Sequence, residues 1–260
     1  NQGDTDLSNL LKNVVPSYNV NTQPISDAAT LVRPANLRGL APDHTLVLVN
    51  GKRRHRAAVI YWLGNGVSDG AQGPDIAPLP AIALRQVAVL RDGAAAQYGS
   101  DAIAGVMNFQ LKDSNEGSTF EAKYGEFFEG DGATYNIAGN VGMPFTDDGF
   151  INLSFEYCSA DETNRSVQRD DAQAIIDAGN TAVANPSQIW GQPIIDDNIK
   201  LVYNMGVQLA DSKAFYSFGN YACSSCKTPC KFGSGKAYYK RRERSRSGSW
   251  RYITWGTSGS

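Results

Sequence analysis

The chain contains no apolar run of the roughly 18–20 residues that a transmembrane helix requires. That absence leaves transmembrane β-strands possible, because each needs only about 9–11 residues of alternating character. The sequence also has no positively charged start followed by an apolar stretch, so a signal peptide is absent or already removed.

Residues that catalysis usually requires are scarce. There are two histidines, His44 and His55, and neither lies in a metalloprotease or catalytic-triad pattern. Ser100 lacks the surrounding glycines of a nucleophile elbow, and no glycine-rich loop is followed by Lys-Ser or Lys-Thr to hold a phosphate. We therefore predict no enzyme activity and no cofactor.

Cysteine is too sparse and too unevenly placed for a disulfide framework. Of the four cysteines, Cys158 stands alone, whereas Cys223, Cys226 and Cys230 lie close together in the sequence. Those three thiols are a weak candidate for a metal site, because a fourth ligand at zinc-site spacing is missing.

Charge of neither sign is in large excess. The 24 Lys and Arg against 26 Asp and Glu give a formal net charge of −2, which predicts no nucleic-acid partner. Glycine is abundant, with 26 residues, and there are 12 Tyr and 10 Phe. This composition is typical of β-rich proteins.

The segment Leu84–Lys112 organises the first half of the chain. Its first residues alternate like a strand, and Asp92-Gly93 then predicts a sharp turn, since glycine accepts a positive φ. Small residues from Ala94 allow one helical turn before Tyr98-Gly99-Ser100, and a second alternating strand ends the segment.

This segment carries a family resemblance. The run VLRDGAAAQYGSDAIAGVMNFQLK resembles the signature at the end of the plug domain of TonB-dependent outer-membrane receptors. Leu37–Leu40 and Thr45–Lys52 resemble two further plug segments, and Asn50-Gly51 predicts a tight hairpin turn. This chain has Ala88 where the family often has an acidic residue. The signature residues are Gly39, Asn50, Gly51, Asp92, Gly93, Tyr98, Gly99, Ser100, Gly105 and Asn108.

The resemblance implies a function for the complete receptor. It would take up a scarce nutrient (siderophore, haem, cobalamin or oligosaccharide) across the outer membrane of a Gram-negative bacterium. Its partners would be the energy-coupling protein TonB, whose binding segment is not found in this chain, the outer-membrane lipid and the small-molecule or oligosaccharide ligand. Arg38, Arg85 and Arg91 are the candidates for contacts between plug and barrel.

A basic cluster and a long loop supply the candidate ligand-binding residues. Lys52–Arg56 is either an anionic-ligand site or a solvated hairpin arm. In the resembled fold, loops such as Ala57–Pro80 touch the ligand. Tyr61 and Trp62 either stack on it or fill the plug core. Asp69 and Asp75 could hold a calcium ion, although their spacing fits no standard calcium loop. The candidates are Arg54, His55, Arg56, Tyr61, Trp62, Asn65, Asp69, Gln72 and Asp75.

After Lys112 the pattern changes to long alternating segments. One face of each is apolar and the other small or polar, as in a barrel wall, although a soluble antiparallel sheet alternates in the same way. The connections 144–149 and 210–213 are short and 161–195 is long, which is the asymmetry expected of an outer-membrane barrel. A helix is predicted within 169–178.

We therefore predict an α+β plug domain, with a small mixed sheet and short helices, followed by antiparallel strands of an incomplete transmembrane β-barrel. The predicted organisation is a lead-in at 1–13, the plug at 14–112, five barrel strands within 118–222 and a basic, cysteine-containing tail at 223–260. The tail shows no alternation and does not resemble the family. It is interpreted as the product of a disrupted reading frame, with a metal site or an RNA-binding tail as alternatives.

Two other functions fit the same sequence. One is a β-rich surface binding or adhesion protein that does not transport, and the other is a truncated product without function. Dependence on energy separates the first from a transporter, because a binding protein keeps its binding without TonB. An open sheet with apolar residues on one face would aggregate in water, which is expected of the truncated product.

Overall fold

The computed structural model describes residues 6–19, 32, 34–57, 60, 70–187, 191–192, 194–210, 213–228 and 246–259. For residues 210, 226–228 and 246–259 the main chain alone is described. Within these ranges, no helix is both long and apolar enough to cross a membrane.

The chain begins with a short helix and a two-stranded ribbon. Helix α1 (Leu7–Val14) starts at Asp6, whose carboxylate accepts a hydrogen bond from the Ser8 main-chain N–H at 2.9 Å, and it buries Leu7 and Leu11 on one face. Strand β1 (Tyr18–Asn19) pairs antiparallel with β2 (Asn36–Leu37). The helix lies in the predicted lead-in, yet it packs into the same core as the plug.

A mixed four-stranded sheet forms the centre of the plug, in the order β4-β3-β6-β5. Its strands are β3 (Thr45–Val49), β4 (Lys52–Arg53), β5 (Leu84–Leu90) and β6 (Gly105–Leu111). Strand β6 runs parallel to β3 and antiparallel to β5. Helix α2 (Ala94–Tyr98) and three short 3-10 helices, at Pro42–His44, Ala81–Ala83 and Ser100–Ala102, complete the unit.

The second sheet, which we call the wall, has six antiparallel strands in the order β12-β11-β10-β9-β8-β7. The strands are β7 (Ser118–Gly125), β8 (Thr134–Thr146), β9 (Gly149–Ala160), β10 (Ile194–Ala210), β11 (Lys213–Thr228) and β12 (Arg246–Gly259). Helix α3 (Asp170–Asp177) lies in the long connection between β9 and β10, where the sequence predicted a helix.

The two faces of the wall differ as the alternation predicted. The inner face buries polar residues, including Asn136, Asn140, Asn152, Ser154, Asn204 and Asn220. The outer face exposes large apolar side chains, including Phe120, Tyr135, Ile137, Val141, Leu153, Phe155, Ile199 and Leu201. Such a division suits a sheet with lipid outside and polar contents inside. The first and last strands are not paired with each other, so the described sheet is open.

The number of wall strands is larger than predicted. Strand β11 continues to Thr228, and a sixth strand, β12, lies within the tail for which the sequence predicted no strand. The residues of β12 pair with β11 from Phe215↔Gly259 to Thr228↔Arg246. Main-chain hydrogen bonds at a free sheet edge do not require alternating side chains, so the absence of alternation did not exclude a strand.

Plug and wall share one hydrophobic core. Leu37, Val47, Met107 and Phe109 are fully buried in the plug, and the same cluster includes two wall residues, Val202 and Phe218. Apolar contact therefore holds the plug against β10 and β11, and the polar groups around this contact form the candidate functional site.

Candidate functional site: the plug–wall junction

Asn50 joins the plug to the wall. It has a φ of +48°, and Gly51 follows with +76°, so the predicted Asn-Gly turn is confirmed. The Asn50 side-chain oxygen accepts the main-chain N–H of Leu111 at 2.8 Å. Its amide nitrogen donates to the Oδ1 of Asn204 at 3.3 Å and to the hydroxyl of Tyr216. One turn residue therefore links β6 with β10 and β11.

Arg54 makes a second contact across the junction. It is only 4% exposed, and its Nε donates to the main-chain oxygen of Asp75 at 2.7 Å. Its Nη1 donates to the Oδ1 of Asn220 in β11 at 3.4 Å. The interpretation of Lys52–Arg56 as a wholly solvated arm is wrong at Arg54, because the guanidinium is enclosed between the plug and the wall.

The linker between the two units, Lys112–Gly117, is bound to the inner face of the wall. Asn204 donates to the Lys112 main-chain oxygen at 2.9 Å, and Asn152 donates to the Oγ of Ser114 at 3.1 Å. The main-chain N–H of Gly142 donates to the oxygen of Gly117 at 2.9 Å. A Cβ at position 142 would lie 2.5 Å from the Ser114 oxygen, so glycine permits this close approach.

Other polar groups of the inner face bond to one another. Asn140 donates to Asn152 at 2.5 Å and to Ser154 at 2.8 Å. Lys200 and Glu156 lie opposite each other on β10 and β9 and form a buried ion pair of 2.7 Å. The wall therefore presents a bonded, polar surface to the plug rather than isolated charges.

Two of the three arginines predicted to contact the barrel bond to plug and linker residues. Arg38 donates to the Arg91 main-chain oxygen at 3.1 Å and pairs with Asp92 at 3.3 Å. Arg85 pairs with Asp113 at 2.6 Å. Contact of Arg38, Arg85 and Arg91 with the barrel stays a prediction.

The predicted ligand-binding residues divide into three groups. His55 and Arg56 are exposed, and the pKa of His55 is lowered by desolvation and then by the positive charge of Arg54. Gln72 and Asp75 instead support the plug: Gln72 donates to the Ala57 oxygen at 2.8 Å, and Asp75, 3% exposed, accepts the Ala77 main-chain N–H at 3.0 Å. Tyr61, Trp62, Asn65 and Asp69 lie outside the described residues.

The metal interpretations gain no support. Cys223 is half-buried, whereas Cys230 and the side chain of Cys226 lie outside the described part of the chain. The calcium hypothesis for Asp69 and Asp75 has one partner outside that part as well. The described residues contain no group of three or more His, Cys, Asp or Glu side chains placed to hold an ion.

Two connections meet at the end of the wall away from the short turns, a contact that the sequence did not predict. Arg165, in the β9–β10 connection, bonds through both terminal nitrogens to Asp131 in the β7–β8 connection, one of them at 2.7 Å. It also pairs with Glu129 at 3.2 Å and lies 5.6 Å from the centre of the Phe127 ring. The hydrogen bond from Arg165 lowers the pKa of Asp131. No sequence pattern predicts a contact between residues so far apart.

The plug matches a known domain family. The model of the TonB-dependent Receptor Plug Domain matches residues 1–106. These residues hold the mixed sheet, and the strands that follow form the polar-lined wall. Residues 1–106 belong to the plug-domain family of TonB-dependent receptors. The predicted resemblance and fold class are confirmed.

Curated relatives bear transporter and receptor names. The chain is 31% identical over 57% of its length to the probable TonB-dependent siderophore receptor PirA of Acinetobacter baumannii, and 33% identical over 70% of its length to the ferric enterobactin receptor PirA of Pseudomonas aeruginosa. The vitamin B12 transporter BtuB of Vibrio vulnificus is 36% identical over 34% of the chain. The chain spans 22% and 23% of the two siderophore receptors.

A solved structure supports the fold. The crystal structure of a mutant ferric enterobactin receptor, PfeA, from Pseudomonas aeruginosa in complex with enterobactin has a TM-score of 0.60 with this chain and is 19% identical to it. The similarity covers 85% of this chain and 31% of the receptor. Plug and wall are therefore arranged as in a TonB-dependent receptor.

Proposed function

We propose that the receptor to which this chain belongs takes up a ferric siderophore across the outer membrane of a Gram-negative bacterium, with energy supplied through TonB. The plug closes the pore at rest, and its displacement opens a path. The observation that carries this proposal is the plug–wall junction, where Asn50 and Arg54 bond to the inner face of the wall. The siderophore as substrate class rests on the names of the relatives.

The junction is held by several hydrogen bonds that are individually modest, as a movable plug requires. Its polar contacts are hydrogen bonds to neutral amide and hydroxyl groups of the wall, together with the bond that Asn204 of the wall donates to the Lys112 main-chain oxygen. Hydrogen bonds of this kind each contribute about 0.5–1.5 kcal/mol net, and about 1.5–3 kcal/mol where one group is charged, as at Arg54. Several together hold the plug in place, while each can be exchanged for water one at a time under an applied force.

The outer face of the wall suits contact with membrane lipid. Its exposed apolar side chains form one continuous surface, and Tyr124 and Tyr135 stand together near one end of it with ring centres 5.0 Å apart. Aromatic side chains at the ends of the apolar band are typical of outer-membrane barrels. The proposed location is therefore the outer membrane, with lipid against this face.

The proposed ligand contacts include two exposed residues next to the junction, His55 and Arg56, which follow buried Arg54 directly. Tyr61, Trp62, Asn65 and Asp69, which lie outside the described residues, are retained as candidates from the sequence. Cationic and aromatic side chains suit an anionic, aromatic iron complex. Arg54, Gln72 and Asp75 are assigned to the plug structure instead.

Uptake of radioactive iron tests the function. The full-length receptor is produced in Gram-negative cells that lack their own enterobactin receptors, with and without TonB, and supplied with iron-loaded enterobactin. We expect iron to accumulate only when TonB is present, and binding to persist without it. Labelled cyanocobalamin serves as the control substrate. Binding without accumulation in cells that contain TonB would favour the non-transporting surface protein.

A further inference from the structure

A groove crosses the outer face of the wall. Its volume is about 710 Å³, within the range of about 300–1,000 Å³ that is typical of small-molecule sites lined mostly by apolar side chains. None of the described residues that line it is charged. Large apolar and aromatic side chains from five neighbouring strands form its sides: Phe120, Val141, Leu153, Phe155, Leu201 and Tyr221. The groove therefore suits an uncharged, apolar occupant.

Two glycines open this groove. Residues that lie opposite each other on neighbouring strands form rows across one face of a sheet. One row places Gly139 of β8 between Phe120 and Phe155, and the next row places Gly219 of β11 beside Tyr203. Neither glycine contributes a side chain, so the outer face is lower at these two positions than around them.

The ring of Phe155 lies over Gly139. A Cβ at position 139 would be 2.3 Å from the Cε1 of this ring, so the glycine allows the ring to lie there. The ring therefore leans towards β8 and away from Leu201, its register partner on β10. Space opens as a result over β10 and β11.

The groove has the chemistry and the length that suit a hydrocarbon chain. The hydroxyl of Tyr203, which lines the groove, bonds to the Oγ of Ser217 at 3.1 Å and so does not require a polar occupant. The row from Phe120 to Tyr221 spans four spacings between strands of about 4.8 Å each, or roughly 19 Å. One lipid chain spans a leaflet, which is about half of the ~30 Å hydrocarbon core. The groove is therefore long enough for one acyl chain.

Membrane lipid is the occupant that the surroundings supply. The groove lies within the apolar outer face, so this inference rests on the proposed location of that face in the membrane. The hydrocarbon region offers no water to fill the space, and an empty groove would cost the side chains around it their dispersion contacts. We propose that the groove holds one acyl chain of a phospholipid in a fixed position, whatever head group the lipid carries. Hydrogen-bonded strands keep the sides of the groove in place, so this chain is more ordered than the chains against the rest of the face.

A phospholipid brominated in the middle of one acyl chain locates the site, because bromine scatters X-rays anomalously. Crystals of the full-length receptor are grown from a lipidic mesophase that contains this phospholipid, for the wild type and two variants. Leu201→Trp fills the groove with the larger indole ring. Ile199→Trp is the matched control, since Ile199 lies two residues away on the same strand and face, is 40% exposed against 47% for Leu201, and does not line the groove.

We expect a bromine peak beside Phe155 and Leu201 in the wild type and beside Phe155 in Ile199→Trp, and no peak in the groove of Leu201→Trp. Bromine elsewhere on the outer face of the wild type but not in the groove would overturn the proposal. A peak that persists in Leu201→Trp, or a side chain from a second receptor copy in the groove, would overturn it as well.

The failure of this inference can be told apart from the failure of the proposed function. Absence of bromine from the whole outer face would overturn both the acyl-chain site and the proposed membrane location. Iron uptake by the wild type measures transport separately, because the groove and the plug lie on opposite faces of the wall. Uptake that fails while bromine occupies the groove would contradict transport and leave the acyl-chain site supported.

Discussion

Asn50 of the plug donates a hydrogen bond to Asn204 of the wall at 3.3 Å, and Asn204 in turn donates to the main-chain oxygen of Lys112 at 2.9 Å. One wall side chain thus contacts both the hairpin turn of the plug and the start of the linker. The same Asn50 also accepts the Leu111 N–H. Loss of either asparagine should affect the plug and the linker together.

Replacement of Asn50 should separate its backbone role from its bonding role. Asn50→Gly keeps the positive φ but leaves the Leu111 N–H and two wall groups unpaired, which should lower the free energy of unfolding of the plug by about 1–3 kcal/mol. Asn50→Ala should cost about 1–2 kcal/mol more, because alanine is strained in the left-handed region. Urea unfolding of the full-length receptor measures both. Equal stability of the two variants would contradict a strained turn.

Arg54 and Arg56 provide a matched pair of substitutions in one segment. Arg54→Ala removes a buried guanidinium and leaves the Asp75 oxygen and Asn220 without their donor, so we expect a loss of about 1–3 kcal/mol of plug stability and an ion leak in planar bilayers. Arg56→Ala should leave stability and conductance unchanged, because Arg56 is exposed. A leak from both variants, or from neither, would show that burial of Arg54 does not seal the junction.

Local patterns predicted much of this fold. Alternation in Leu84–Leu111 and the Asn-Gly turn depend on near neighbours, and the predicted strands and turn are present in β5, β6 and the β3–β4 hairpin. The polar inner face of the wall was also predictable, because it follows from alternation along each strand. Each of these features depends on residues that are close together in the sequence.

Contacts between distant segments were not predictable in the same way. Asn50 and Asn204 are 154 residues apart, and no pattern in either segment predicts that the two are in contact. The cluster Lys52–Arg56 indicated exposed charge, but packing against β11 buries Arg54 and leaves its neighbours accessible. Strand β12 was missed because pairing with β11 uses main-chain groups that every sequence carries.

Gly142 should be required for the position of the linker. In Gly142→Ala the new Cβ would meet the Ser114 and Glu116 main-chain oxygens at 2.5 and 2.9 Å, so the linker must move away from β8. We expect faster hydrogen exchange in β8 peptides that contain position 142, because the bond to Gly117 is lost. Gly125→Ala is the control, since nothing lies near its Cβ. Unchanged exchange in Gly142→Ala would mean that the linker does not lie against β8.

Loss of one partner should destabilise the protein far more at the buried Lys200–Glu156 pair than at an exposed ion pair. Lys200→Met leaves Glu156 buried without its partner, and we expect a loss of about 3–5 kcal/mol in the stability of the folded receptor. Lys123→Met removes the exposed partner of Glu121 and should cost less than about 1 kcal/mol. Thermal and urea unfolding in detergent micelles compare the two. Similar effects would indicate that water reaches the Lys200–Glu156 pair.

Arg165 should order the β7–β8 connection that it contacts, and its effect should depend on pH. Arg165→Ala removes the bonds to Asp131 and Glu129, so hydrogen exchange in 126–133 should increase; Arg169→Ala, which loses only a local pair with Asp171, should leave that segment unchanged. Arg165 lowers the pKa of Asp131 from its ordinary value of 3.8, so the stabilisation is present above that value and is lost as the pH falls through the lower, folded-state pKa.

The pH profile separates this ion pair from simple packing. In the wild type, exchange in 126–133, corrected for the intrinsic pH dependence of amide exchange, should rise towards that of Arg165→Ala only at pH values below the ordinary pKa of Asp131. The contact of Arg165 with the Phe127 ring does not involve that proton, so it would persist under the same conditions. A difference between wild type and variant that stays constant to low pH would therefore assign the ordering to the ring contact rather than to Asp131.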